Sequence, residues 1–245
     1  MALLNSRFFI FFEELRHALK MLCLTLIAAT GALFFLSGRV VALMQSHLDE
    51  KLYFFAAAEP FLAHVKVAFF CAIYLLMPLC MHVIWKALGK PFGLPARQVR
   101  WFVGATCVLF YGGTVFCALL TLPYGIAFLL GFQSQDLQAV ISISRFVDFV
   151  SLFILAFGVI FELPVFMIFS AKVGVISCKT FIKSRRYAIL AIAILAAMLT
   201  PTPDLVNMAL MGLPLYLLYE VGIILIRVLK IEQSGGDVPQ KGDVV

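Results

Sequence analysis

Residues 149–171 read FVSLFILAFGVIFELPVFMIFSA, 23 positions in which Glu162 is the only charged side chain. At a rise of ~1.5 Å per residue, ~20 apolar residues cover the ~30 Å of bilayer hydrocarbon, so this stretch fits a membrane-spanning helix. A carboxylate near the middle of such a span costs several kcal/mol unless it is protonated, paired or turned toward water, and it therefore marks a functional position by default. The plainer alternative is a protonated glutamic acid bonded to a neighbouring helix, since polar side chains often glue membrane helices together. Pro164, two positions on, cannot donate to the carbonyl of Ile160. The helix is expected to kink there or to leave that carbonyl free.

Composition agrees with a membrane setting. Of 245 residues, 63% are hydrophobic and only 13% charged, with a mean hydropathy of +1.05. Soluble domains carry about 25% charged residues, so an all-α integral membrane protein is expected. The pI near 9.1 does not argue for nucleic acid, because the basic residues fall between apolar spans rather than on a soluble patch. Cys23, Cys71, Cys80, Cys107, Cys117 and Cys178 include no C-x-x-C pair, and His17, His47, His64 and His82 show no ligand spacing. The cysteines read as small hydrophobes, and neither metal nor cofactor is expected. Glu13 and Glu14 interrupt the N-terminal region and no A-x-A site follows, so the first span is expected to be retained rather than cleaved.

Six spans are expected, at about 19–38, 67–85, 101–123, 149–171, 187–200 and 205–226, in one membrane domain over 1–230. Lys and Arg number three in 1–20, four in 86–100, five in 172–186 and three in 227–245. The alternate segments 39–66, 124–148 and 200–204 hold three, one and none. Fifteen against four is a positive-inside bias that puts both termini in the cytoplasm. Trp85 and Trp101 flank the first basic loop, as interfacial aromatics do.

Three regions carry more than topology. The segment FFIFFEELRHALKML at 8–22 turns from apolar to charged at helical spacing and suits the cytoplasmic interface. Segment 45–66 contains Glu59-Pro60-Phe61, where Pro60 suits the first turn of a helix, and is long enough for an ordered cap over the outer face. The last two spans form a short hairpin about Thr200-Pro201-Thr202-Pro203-Asp204, a turn that cannot continue a helix. If the returning leg matches the incoming one, Glu220 lies at the cytoplasmic interface. Residues 231–245 are polar and Gly-containing, and a disordered tail is expected.

Glu13 and Glu14 place two carboxylates at the cytoplasmic membrane surface. Two readings stand. One is a solvated helix face in which Glu13 and Arg16 pair at i, i+3. The other is a docking point for a basic peptide, since carboxylates accept bidentate arginine contacts.

Four features taken in order resemble the TatC family, the multi-span core of the twin-arginine protein translocase. They are Glu14-Leu15-Arg16, then Phe157-Gly158 leading to Phe161-Glu162-Leu163-Pro164, then the turn at 200–204, then Pro214-Leu215-Tyr216-Leu217-Leu218-Tyr219-Glu220. The likeness covers about residues 8–230. It implies a concave, bowl-like bundle with a short final hairpin in the bacterial cytoplasmic membrane. It also implies binding of twin-arginine signal peptides, and action with the single-span subunits TatA and TatB in an oligomeric complex. In that family the complex moves folded proteins across the membrane using the proton-motive force. By the same resemblance Glu14 and Arg16 belong to the signal-peptide site, and Glu162 with Pro164 lines an intramembrane polar groove. Pro203 and Asp204 match the outer turn, Glu220 matches a glutamate near the cytoplasmic end of the last span, and Pro60 matches the external segment.

The departures from the family pattern are specific. Phe11 stands where a histidine is usual, and Met208 where glutamine is common. The first cytoplasmic loop ordinarily brings a second signal-peptide glutamate, yet 93–100 reads GLPARQVR, with Arg97 or Gln98 at that place. An arginine there repels a twin-arginine ligand: like charges ~4 Å apart cost up to ~4 kcal/mol at an effective dielectric of ~20. Glu13 supplies the missing charge, or the signal read is a modified one, or ordinary recognition has been lost.

Two other classes fit less well. A proton-coupled small-solute transporter using Glu162 as its relay would be expected to show paired halves, and no internal repeat is present. An intramembrane protease lacks a G-x-S-x-G elbow and an H-E-x-x-H motif.

Overall fold

The computed structural model describes residues 19–45, 52–131, 141–199 and 205–229. These residues are almost entirely helical and divide into two compact units, Met1–Gly158 and Val159–Val245.

The first unit begins with α1 (Leu19–Phe34), which breaks at Phe35 and Leu36 and resumes as α2 (Ser37–Gln45) bent by 69°. The sequence suggested a span over about 19–38 there, with 39–66 outside it. The bend follows from Ser37, whose hydroxyl donates back to the Phe34 carbonyl at 2.6 Å and meets His64 Nδ1 at 3.1 Å. A side chain that competes for backbone groups in this way disturbs the helical ladder. Next comes α3 (Glu59–Gly89), which is longer than the expected span, with Pro60 in its first turn. Pro has no N–H to waste at that position. A tight turn with Gly93 at φ +63° leads to α4 (Ala96–Phe116). A five-residue π-helical stretch, Cys117–Thr121, then joins α4 to α5 (Leu122–Leu130).

Helix α6 covers Ile143–Phe161. Two short strands, β1 (Leu52–Tyr53) and β2 (Ile141–Ser142), pair in parallel ahead of α3 and α6. Glu59 fastens this junction, its Oε2 accepting from the Phe55 N–H at 3.1 Å and the Ser142 hydroxyl at 3.3 Å. Lys66 on α3 bridges to Asp148 on α6 at 2.6 Å and donates to Ser144 at 2.9 Å. Below them Trp85 stacks on Phe102 with centroids 4.7 Å apart. Phe110 packs beside Tyr74 and Tyr111, and Gly158 lies against it: a Cβ added to Gly158 would sit 2.6 Å from Phe110 Cε2 and 3.0 Å from Thr114 Cγ2.

The second unit holds α7 (Leu163–Lys172), α8 (Cys178–Lys183), α9 (Arg185–Leu199) and α10 (Leu205–Val228). Helix α10 packs against α7 and α9. Gly222 permits the α7 approach, since a Cβ there would lie 2.7 Å from Met167 Sδ and 3.4 Å from the Pro164 Cα. A Met side chain adapts more readily than a pinned ring. Gly222→Ala is therefore expected to lower the unfolding midpoint less than Gly158→Ala, as measured by thermal melts of both variants in one detergent.

Among the described residues, four helical stretches are long and apolar enough to cross a membrane, and five if the bent α1–α2 pair is one span. The four are Glu59–Phe92, Ala96–Ala127, Ile143–Lys172 and Met211–Val228. At 15 residues α9 is as short as expected, about 22 Å of helix. At 24 residues α10 agrees with the expected 205–226 to within two positions and carries Pro214 inside it, so the returning leg is longer than α9 and runs past Glu220 to Val228.

Candidate functional site

Glu162 sits at the break in the stretch that opened the sequence reading. It is the single turn residue between α6 and α7, with Pro164 in the first turn of the new helix. Its N–H reaches back to the Val159 carbonyl at 3.2 Å, and its own carbonyl accepts from Val165 at 3.0 Å and Phe166 at 3.1 Å. The chain thus answers the missing Pro164 donor by tightening one turn and restarting the helix, as the sequence led one to expect. The side chain is 1% exposed, and neither carboxylate oxygen has a hydrogen-bond partner among the described residues. A buried polar group left unbonded is rare and calls for an explanation.

Glu220 has the opposite surroundings. Arg185, at the start of α9, donates to its Oε2 at 2.8 Å, and Tyr216 one turn back donates to its Oε1 at 2.9 Å. The neighbouring Tyr219 hydroxyl holds the Phe181 carbonyl of α8 at 2.7 Å. In the sequence Arg185 is one of five basic residues of the 172–186 segment, and nothing there marks it as the partner of Glu220. The i, i+4 spacing of Tyr216 and Glu220 was the one local signal available. Arg185→Ala is expected to destabilise the unit by about 1–2 kcal/mol, because it strands a half-buried carboxylate. Matching losses for Arg185→Ala, Glu220→Ala and the double variant would establish the pairing.

Helix α4 begins after Pro95, which is extended at φ −66° and ψ 147°, with no side-chain cap and no acidic residue in its first turn. Arg97 is exposed there, whereas Gln98 is half-buried and its Oε1 is enclosed without a hydrogen-bond partner among the described residues. The two residues thus differ in surroundings, although the sequence could not separate them. Pro60 lies in the first turn of α3 beside the anchored Glu59. Glu13, Glu14, Arg16, Pro203 and Asp204 lie outside the described residues.

Comparison with known proteins gives this geometry a context. A family model described as Sec-independent protein translocase protein (TatC) matches residues 11–214. The chain belongs to the TatC family. A TatC protein of Koribacter versatilis is 35% identical over 185 residues, covering 74% of this chain and 67% of that one. One from Carboxydothermus hydrogenoformans is 33% identical over 191 residues, covering 78% and 79%. A crystal structure of the twin-arginine translocase receptor TatC in DDM superposes with a TM-score of 0.77 at 25% identity, over 88% of this chain and 98% of that one. The family match takes in the Glu14-Leu15-Arg16 segment, the α4 start and the Glu162 break, and stops short of Glu220. The chain is accordingly a membrane protein of a protein-translocation family.

Proposed function

We propose that this chain is the multi-span core of a twin-arginine translocase, which binds twin-arginine signal peptides and, with TatA and TatB, carries folded proteins across the bacterial inner membrane at the expense of the proton-motive force. It acts within an oligomeric complex and catalyses no covalent chemistry. Six spans cross the lipid with both termini in the cytoplasm, in a single domain over 1–230 followed by a tail at 231–245. The observation that carries the reading is the family match across 11–214, which joins the acidic E-L-R segment in one chain to Glu162, whose carboxylate has no hydrogen-bond partner among the described residues.

In this reading Glu13, Glu14 and Arg16 form the cytoplasmic peptide site. Glu14 receives a signal-peptide guanidinium, and Glu13 supplies the second carboxylate that the α4 start does not. Arg97 and Gln98 border that site, where exposed Arg97 sets a limit on how closely a cationic ligand approaches. Glu162 and Pro164 form the intramembrane element: a carboxyl group with no hydrogen-bond partner among the described residues is open to a polar group of the signal peptide or of a partner's span. Pro60, Pro203 and Asp204 shape the outer turns, and Glu220 holds the cytoplasmic end of α10 through Arg185.

A photocrosslinking signal peptide tests the peptide site. It is expected to label the segment around Glu14 in the native chain and to lose most of that labelling in Glu14→Ala. Undiminished labelling when Glu13 and Glu14 are both replaced by alanine would remove the assignment.

A further inference from the structure

The end of the first unit where α3 begins carries four exposed phenylalanines that the proposed peptide site does not use. Phe35 is 88% exposed, Phe54 64%, Phe55 70% and Phe61 60%. They are tied together. The Phe34 ring meets Phe61 at 5.9 Å and Phe35 at 6.3 Å, joining the end of α1 to the start of α3. The Phe55 N–H bonds to Glu59 at 3.1 Å, fixing the segment before α3 to that helix's first turn. A contiguous apolar surface of this kind marks an interaction face.

The face continues the exposed apolar side of α3, a helix long and apolar enough to cross a membrane. Phe61, Leu62, Phe69, Leu75 and Leu79 are all exposed and, at about 3.6 residues per turn, share one side of the membrane-spanning α3. The patch is the end of that stripe. Residues 53–58 read YFFAAA and bring no charge, whereas a face for a protein partner carries a polar rim. Tyr53 adds the amphipathic ring favoured where hydrocarbon meets water.

We infer, resting on the proposed topology with both termini in the cytoplasm, that the segment 53–55, with Phe35 and Phe61, lies in the lipid interface of the outer leaflet as a membrane anchor for the β1–α3 junction. The segment then does not stand in water above the bundle: its aromatic side enters the boundary between headgroups and acyl chains, while Glu59 and Ser142 hold its polar side to the protein. The anchor sets the depth at which α3, and with it the Lys66–Asp148 bridge, meets the membrane surface.

The test uses the full chain in lipid nanodiscs, labelled with 5-fluorotryptophan, comparing Phe54→Trp with the parent whose only tryptophans are Trp85 and Trp101. The added fluorine resonance is expected to broaden at least about twofold more with dissolved oxygen, which partitions into lipid, than with an aqueous nickel chelate, because a ring ~5–10 Å into the boundary is beyond the chelate's reach. Stronger broadening by nickel places the segment in water and overturns the anchor. Shielding from both agents also overturns it, and recovery of broadening in discs holding one copy would identify a second copy as the cover. Phe61→Trp gives the same readout from the helix side if Phe54→Trp inserts poorly.

Discussion

Glu162→Leu is expected to raise thermal stability while abolishing transport. Both carboxyl oxygens are buried without a partner among the described residues, so the wild-type group bears a desolvation cost with no compensating bond. An apolar side chain of similar size removes that cost, worth about 1–3 kcal/mol for a polar group of this kind. A stability gain bought by losing function is the pattern expected where a site is kept strained for its task. The melting midpoint in detergent and export of a twin-arginine reporter in cells measure the two effects. A fall in the midpoint would mean that Glu162 has a stabilising partner, and unimpaired export would remove it from the mechanism. Glu162→Gln separates the roles further. Transport that survives Gln but not Ala assigns a neutral, hydrogen-bonding function, whereas loss in a stable, inserted Gln variant assigns ionisation.

Gly158→Leu is expected to prevent accumulation of folded protein. Even a methyl group there would lie 2.6 Å from Phe110 Cε2, 2.8 Å from Cδ2 and 3.0 Å from Thr114. Phe110 is fully buried and flanked by Tyr74 and Tyr111, so its ring has nowhere to go. Overpacking of this order costs about 1–3 kcal/mol for the alanine variant. The branched leucine forces α4 and α6 apart. Yield of monodisperse protein and the unfolding midpoint measure the loss. A Gly158→Leu protein of native stability would mean that the α4–α6 contact is not as close as described.

How much was legible in the sequence follows from which forces act locally. The break at Glu162 was readable because Pro164 removes one donor from one identifiable carbonyl, a consequence of covalent structure alone. The helix start at Pro60 was readable for the same reason. The bend between α1 and α2 was not, because it depends on Ser37 meeting His64, 27 positions away. The extent of α10 was readable almost to the residue, 205–226 expected against Leu205–Val228, with Pro214 carried inside the helix. Glu220 and Arg185 are 35 positions apart, and their pairing exists only after α9 and α10 have docked. The candidate site divides in the same way. The isolation of Glu162 among apolar residues gave its importance, whereas the lack of a hydrogen-bond partner for it among the described residues is a property of packing. The distinction between Arg97 and Gln98 likewise needed the α4 start, where one side chain turns outward and the other is enclosed.

Binding of a fluorescent twin-arginine signal peptide to the purified chain in nanodiscs, set beside its twin-lysine variant, tests the proposed function most directly. Guanidinium forks engage carboxylates in two-point contacts that an ammonium cannot reproduce, so the twin-arginine peptide is expected to bind at least about tenfold more tightly, a difference of about 1.4 kcal/mol. The preference is expected to vanish when Glu13 and Glu14 are both replaced by alanine. Equal affinity for the two peptides in the native chain would contradict the account.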